Sequence, residues 1–292
     1  MKTALLYNRR SGKGSNPDVE DAILDGLESM GHEVELMVPT AKGQMTELAR
    51  QAVAGGYELL IAAGGDGTLN EVVNGCLGKP VLFGVIPLGT VNVWARCVGI
   101  PIDVSGALKV VRDGHTREVT LGRANDRAFM FAAGIGIDGE VISHEDLHLK
   151  KYLGRFSYYW QTVRTLCTYD PPRLELSIEG EPPIPCRTVV FGKAPLYGDR
   201  FYLTPRANPF DDVVDVCIFR WYDAIRFLKT MYKSSRNGAH LGESYVEYRR
   251  VARATVTSPD KAHVQVDGEY LGVAPLTVEA LPRALKAILP PG

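Results

Sequence analysis

The stretch Glu58-Leu59-Leu60-Ile61-Ala62-Ala63-Gly64-Gly65-Asp66-Gly67-Thr68-Leu69 decides the fold. Leu59 to Ala63 is a short apolar run closed by glycines, which reads as a strand buried on both faces. Glycines directly after such a strand let backbone amides approach phosphate oxygens with no side chain in the way. A helical run opens at Leu69, and its positive N-terminal end faces the same anion. Asp66 then stands at the phosphates, where a carboxylate is useful only with a bound cation or a donor hydrogen, which points to a Mg²⁺-nucleotide. The other reading is a plain tight turn with Thr68 as helix N-cap.

Outward from this stretch the first 115 residues alternate strands and helices. Strands are predicted at Ala4 to Asn8, Glu33 to Val38, Leu59 to Ala63 and Leu82 to Pro87. Helical patterns fall near 17–30, 44–55, 68–77 and 103–113. This βαβα rhythm predicts an α/β domain over 1–116, a parallel sheet with helices on both faces and ligands beyond the strand ends. From about residue 117 the runs become β-rich, at 128–133, 173–179, 186–192, 213–220, 245–257 and 262–266. Helical interludes near 140–167 and 223–236 interrupt them. A mainly antiparallel second domain over 117–292 is expected. The segment Leu285 to Leu289 rejoins either domain on this reading. Asp267-Gly268 reads as a hairpin turn between Val264-Gln265-Val266 and Tyr270-Leu271.

Composition sets the outer limits. At 292 residues the chain is about twice the length of one average domain. Thirty-three basic and 34 acidic residues leave a net charge of −1, so no global basic field recruits nucleic acid. The five cysteines are odd in number and have no Cys-x-x-Cys spacing, which favours reduced, mostly buried thiols over a zinc ribbon or disulfide framework. No run approaches the ~20 apolar residues of a membrane span, and no signal peptide opens the sequence. A cytoplasmic protein is expected.

Three stretches imitate known motifs. Gly134-Ile135-Gly136-Ile137-Asp138-Gly139 matches G-x-G-x-x-G, but it lies outside the βαβ half and lacks an acidic residue about 20 positions on. His144-Glu145-Asp146-Leu147-His148 matches the H-E-x-x-H zinc pattern with no third ligand to name, and two solvated histidines explain it as well. Ser11-Gly12-Lys13-Gly14-Ser15 lacks the leading glycine and the final hydroxyl of a Walker A loop, although Lys13 remains within reach of a phosphate.

Beyond these local readings, Gly64 to Gly75 resembles the signature of the diacylglycerol kinase-like lipid kinases, in particular their soluble bacterial branch. The resemblance extends to Asn8-Arg9-Arg10-Ser11-Gly12, Thr40-Ala41-Lys42-Gly43 and Pro87-Leu88-Gly89-Thr90-Val91-Asn92. It continues through Ala133 to Asp138, Lys151-Tyr152-Leu153-Gly154 and Val266-Asp267-Gly268-Glu269. The GGDG core is shared with NAD kinases and phosphofructokinases; Asn70-Glu71-Val72, Asn74-Gly75 and the distal pieces select the lipid kinases. The resemblance implies ATP contacts at Asn8, Arg9, Arg10, Ser11, Gly12, Thr40, Gly64, Gly65, Asp66, Gly67, Thr68, Leu69, Asn70, Glu71 and Thr90. It implies Glu269 as the general base on the acceptor hydroxyl, catalytic together with Asp66. It also implies a structural Mg²⁺ held by Asn208, Asp211 and Val213, with Asp212 where family members usually carry glycine. Two further departures are Val93 and Thr120, at positions where the branch commonly carries aspartate, so Asp66 bears more of the nucleotide-Mg²⁺ coordination.

The function expected from this resemblance is transfer of the γ-phosphate of ATP to a lipid hydroxyl, of diacylglycerol or a related lipid, with Mg²⁺. The expected geometry is a cleft with ATP on one wall and Glu269 on the other. An NAD kinase or a nucleotide-binding regulator is the alternative. A lipid acceptor calls for contact with a membrane surface. Residues 148–173 carry five Lys or Arg against one Asp, with Tyr152, Phe156, Tyr159 and Val163 at helical spacing. An interfacial helix and a packing helix both fit that pattern. A homodimer is left open as a further partner.

Overall fold

The computed structural model describes residues 1–143, 169–221 and 223–291. They divide into two compact units, Met1–Leu121 with Leu281–Gly292, and Gly122–Ala280. The division falls between Leu121 and Gly122, within strand β5 (Thr116–Ala124). The last strand, β16 (Leu276–Ile288), also runs from one unit into the other and returns 281–292 to the first.

The first unit contains β1 (Lys2–Tyr7), α1 (Pro17–Ser29), β2 (Glu33–Met37), α2 (Met45–Ala54) and β3 (Leu59–Gly64). It continues with α3 (Asp66–Cys76), β4 (Leu82–Pro87), α4 (Val93–Cys97) and α5 (Val104–Asp113). Its sheet runs β2-β1-β3-β4 and then the end of β16, every pair parallel, with Leu5 beside Ile61, Ile61 beside Gly84 and Leu82 beside Lys286. Leu5, Leu6, Leu60 and Ile61 are wholly buried, as strands covered by helices on both faces require. Local signals set the helix ends. The Asn16 side chain accepts from the Asp18 amide with Pro17 in the first turn of α1, and Asp103 caps α5, which stops at the left-handed Gly114.

The second unit contains β6 (Arg127–Phe129), β7 (Ala132–Ile135), α6 (Ile137–Ser143), β8 (Leu174–Ile178), β9 (Ile184–Cys186) and β10 (Thr188–Gly192). It adds β11 (Val214–Phe219), α7 (Ala224–Ser234), β12 (Val246–Val251), β13 (Arg253–Thr257), β14 (His263–Val266) and β15 (Glu269–Val273). One sheet runs β12-β11-β10-β7-β14-β15, antiparallel throughout. The other sets the start of β16 beside β13, β8 and β9, again antiparallel, with β5 pairing β6. Phe129, Leu176, Phe191, Val216, Val256 and Val264 belong to one buried cluster between them, the sandwich core.

Several expectations change in detail. The single run at 245–257 is two strands, β12 and β13, in different sheets, with the chain switching sheets at Ala252. The helix after the glycine turn opens at Asp66, not Leu69, with Gly65 as N-cap. Helix α6 begins at Ile137, directly after Gly136, whose φ of +105° suits glycine. His144, His148 and most of 148–173 lie outside the described residues. Among the described residues no helix is long and apolar enough to cross a membrane.

Candidate active site

Three turns at the C-terminal ends of β1, β3 and β4 are tied to one another in the first unit. Asn8 donates from Nδ2 to Thr68 Oγ1 at 2.8 Å, and the Gly65 amide donates to Ser11 Oγ at 3.3 Å. The Lys13 amide donates to the Leu88 carbonyl at 3.0 Å. Backbone passes so close to backbone here that side chains are excluded. A Cβ on Gly89 would lie 2.6 Å from Gly65 Cα and 2.7 Å from Asn92 Oδ1, and one on Gly12, at φ +39°, would run into the Leu88 carbonyl. Asn92 itself adopts φ 53° and brackets Gly89, accepting from its amide at 2.9 Å and donating to its carbonyl at 3.0 Å. The turns form a backbone surface next to the N-terminus of α3, where unpaired amides favour an anion.

Asp66 occupies the first turn of α3 and reaches across to α4. Its two carboxylate oxygens accept from the Val93 amide at 3.0 Å and the Trp94 amide at 3.1 Å. Burial pushes this carboxyl above the ordinary aspartate range, and the Val93 and Trp94 amides pull it back in part. Val93, the departure noted in the sequence, turns its side chain inward and contributes main chain to this contact. The amides of Asp66 itself and of Asn92 draw the carboxyl down as well, so main chain holds this carboxylate from several positions. A carboxylate oxygen is the ligand type that Mg²⁺ takes beside phosphates.

The other sequence-named positions separate into surface and support. Gly64 and Thr68 are buried, and a Cβ on Gly64 would meet Thr68 Oγ1 at 2.5 Å. Gly67 is partly exposed in the first turn of α3, and Arg10 and Thr90 are exposed. Thr40 is exposed as well, with its hydroxyl on Gln44 Oε1 at 2.9 Å ahead of α2. Arg9 is committed to Glu20 through two hydrogen bonds of 2.7 and 2.6 Å. Leu69 and Asn70 are buried at 2% and 1% exposure, which makes them support for the turn. Glu71 accepts the Met45 amide at 3.0 Å and so anchors the start of α2. Thr120 is buried at 2% exposure in β5, before the crossover.

In the second unit Asp267 and Gly268 form the predicted hairpin turn between β14 and β15. Both have positive φ, 49° and 80°, as a type I′ turn needs. The Asp267 carboxylate, buried at 6% exposure, accepts the amides of Met130, Phe131 and Ala132 at 2.8, 3.1 and 3.0 Å. The Gly268 amide donates to Gln265 Oε1, and Gln265 donates on to the buried Asp138 at 2.6 Å. Glu269 follows on β15 and pairs with Arg127, Oε2 to Nη2 at 2.6 Å. Neither the amide contacts of Asp267 nor the pairing of Arg127 with Glu269 is legible in the sequence. A Val-Asp-Gly-Glu string signals a turn but not which amides its aspartate collects.

The three residues expected to hold a structural Mg²⁺ do converge, but on a side chain. Lys193 Nζ donates to the carbonyls of Asn208, Asp211 and Val213 at 3.1, 2.7 and 2.8 Å. Lys193 is 1% exposed. Burial draws its amine down to about 8 while Asp215, Asp211 and Asp212 draw it up, and three carbonyl acceptors around Nζ call for the protonated ammonium. Among the described residues no group of three or more His, Cys, Asp or Glu side chains is arranged to hold a metal ion.

The first unit is thus a parallel α/β unit with glycine-lined strand-end turns, and the second an antiparallel sandwich. Residues 2–124 match the diacylglycerol kinase catalytic domain, and 132–289 match the YegS C-terminal NAD kinase beta sandwich-like domain. The chain is 30% identical to a diacylglycerol kinase of Bacillus subtilis, over 99% of this chain and 97% of that protein. It is 32% identical to a diacylglycerol kinase of Staphylococcus aureus, over 99% of this chain and 92% of that one. The fold matches a crystal structure of a diacylglycerol kinase from Bacillus anthracis with a TM-score of 0.82 at 22% identity, covering 99% of this chain and 97% of that one. The chain belongs to the diacylglycerol kinase family.

Proposed function

We propose that the chain is an ATP-dependent, Mg²⁺-assisted kinase that phosphorylates the hydroxyl of diacylglycerol or a related lipid. The observation that carries this reading is the close approach of Gly65 and Gly89 backbone beside the open N-terminus of α3. Such a surface gives phosphate oxygens amide donors without side-chain obstruction. Gly65, Gly67 and the turn Asn8 to Gly12 cradle the phosphates, with Asp66 facing the cation and Thr40 and Thr90 at the rim. Mg²⁺, when bound with the nucleotide, neutralises charge on the β- and γ-phosphates.

Glu269 takes the proton of the acceptor hydroxyl as its oxygen bonds to the γ-phosphorus. The bond from that phosphorus to the bridging oxygen breaks, and ADP carries the electron pair away. Arg127 holds the Glu269 carboxylate in one orientation. The Asp267 bonds to residues 130–132 fix the turn that carries it.

On this reading the protein works in the cytoplasm and meets lipid at the inner face of the membrane, with the basic aromatic stretch 148–173 as the candidate contacting segment and a packing role as its alternative. The decisive experiment incubates purified protein with labelled ATP, Mg²⁺ and a total lipid extract, and in parallel with NAD. A phosphorylated lipid supports the reading, whereas phosphorylated NAD supports an NAD kinase. Nucleotide binding with no product from either mixture identifies a regulator.

A further inference from the structure

We infer that Lys193 is a built-in cation that takes the place of a divalent metal in the second unit, so that this chain holds its 208–213 loop without a metal ion. The Asn208, Asp211 and Val213 carbonyls point at one spot, and the Lys193 ammonium occupies it. An ammonium carries three donors and no acceptor, and here three carbonyls take all three.

The distances discriminate between the two kinds of cation. The carbonyl oxygens stand 2.7 to 3.1 Å from Nζ, the span of N–H···O hydrogen bonds. Mg²⁺ requires oxygens at about 2.0–2.1 Å and Ca²⁺ at about 2.3–2.6 Å, with six or more ligands for Ca²⁺. A metal ion at this centre would have to expel the ammonium and draw every carbonyl inward.

The side chains around the loop are also committed elsewhere. The Asp211 carboxylate pairs with Arg250 and accepts from Asn208 Nδ2 at 3.2 Å, while Asn208 Oδ1 takes the Phe210 amide at 3.1 Å. Asp215, 1% exposed, accepts from Tyr248 Oη at 2.9 Å and lies 3.6 Å from Arg250 Nε. Lys193 and Arg250 thus already supply two cations to the carboxylates of Asp211, Asp212 and Asp215. Asp212 is exposed and its φ is not positive, so the loop closes without the glycine that the family resemblance leads one to expect there.

Tethering explains why a lysine can do this work. The main chain of Lys193 is fixed at the end of β10, its amide on the Phe131 carbonyl at 2.9 Å. The ammonium is therefore held beside the loop by its own backbone, and its occupancy does not depend on any free-ion concentration.

The test is thermal unfolding of the full chain without nucleotide, in EDTA and in millimolar Mg²⁺ or Ca²⁺, for wild type and for Asp66→Asn, which removes the carboxylate of the first unit. We expect each protein to unfold at the same temperature in all three conditions. Lys193→Met and Lys193→Ala leave three buried carbonyls unpaired and should unfold about 5–10 °C lower than wild type. A fall in unfolding temperature on chelation that Mg²⁺ or Ca²⁺ restores in both wild type and Asp66→Asn overturns the inference. So does a Lys193→Met protein that unfolds with wild type. Should neither lysine variant fold, the cation comparison on wild type and Asp66→Asn decides alone. Because no arm measures phosphoryl transfer, the outcome stands apart from that of the proposed activity.

Discussion

Arg127 on β6 and Glu269 on β15 face each other across an ion pair of 2.6 Å, each side chain less than one-third exposed. If Glu269 is the base, Glu269→Gln should lower the turnover number by about 10²–10⁴-fold. ATP affinity, read by fluorescence titration, should stay within about twofold, since a base that acts only on the acceptor contributes nothing to nucleotide binding. Arg127→Met should lower turnover less, by about tenfold, and Arg127→Lys should recover part of it. A Glu269→Gln protein with wild-type turnover removes Glu269 from the mechanism.

Gly89→Ala tests the phosphate surface. The added methyl meets the Gly65 Cα at 2.6 Å and Asn92 Oδ1 at 2.7 Å, so one turn must move. Overpacking of this kind costs about 1–3 kcal/mol. ATP affinity should fall about tenfold or more, with a smaller effect on lipid affinity measured separately. Unchanged ATP binding would place the nucleotide elsewhere.

Acid sensitivity of the second unit should pass through Asp260. Arg173 beside it, through its guanidinium and its amide, holds this carboxyl well below the usual aspartate range. A lowered folded-state value means that the ionised form stabilises the fold at neutral pH. That stability is present above about pH 5 and is lost as the pH falls through the folded value. Asp260→Asn should therefore flatten the acid limb of urea midpoint against pH. Parallel curves for wild type and variant from neutral to strongly acid pH would refute this. The pair is exposed, so the effect should shrink in high salt.

Cys76, Cys186 and Cys217 are buried, and burial pushes the first two thiols up to about 12 and the third higher still. As thiols rather than thiolates they are poor nucleophiles. Alkylation of folded protein near pH 8, followed by peptide mass spectrometry, should leave these three unmodified and label them only after denaturation. Fast labelling of Cys217 in the folded chain would contradict its burial.

Much of the first unit can be read from its sequence because both determinants are local. Buried parallel strands such as Leu59–Gly64 are uninterrupted apolar runs, and the helices between them carry their caps with them, Asn16 and Asp103 among them. Helix α4 escapes such a reading. It has five residues, too few for periodicity to register, and it begins after an asparagine in the left-handed region. The Asp66 contact with Val93 and Trp94 escapes for the same reason, since it spans 27 and 28 positions. In the second unit the residues of 245–257 are strand-like on both sides of the switch of sheets at Ala252, so one strand and two look alike in composition. Only the slip in alternation at Arg249-Arg250-Val251-Ala252 marks the switch. Lys193 is the clearest case. A lysine after an apolar strand reads as a solvated strand end, and only folding reveals that three carbonyls enclose it.

The path of β16 has a consequence for how the chain is made. The strand that completes the parallel sheet of the first unit pairs Lys286 with Leu82, a separation of roughly 200 residues that carries a high loop-closure cost. During synthesis from the N-terminus, the β2-β1-β3-β4 core can collapse early, but its edge at β4 stays open until nearly the whole chain has emerged. An unpaired strand edge is a site for wrong pairing. Chains halted before residue 281 should therefore be the species that aggregates or recruits chaperones, even though all the glycine turns of the phosphate surface are already present in them.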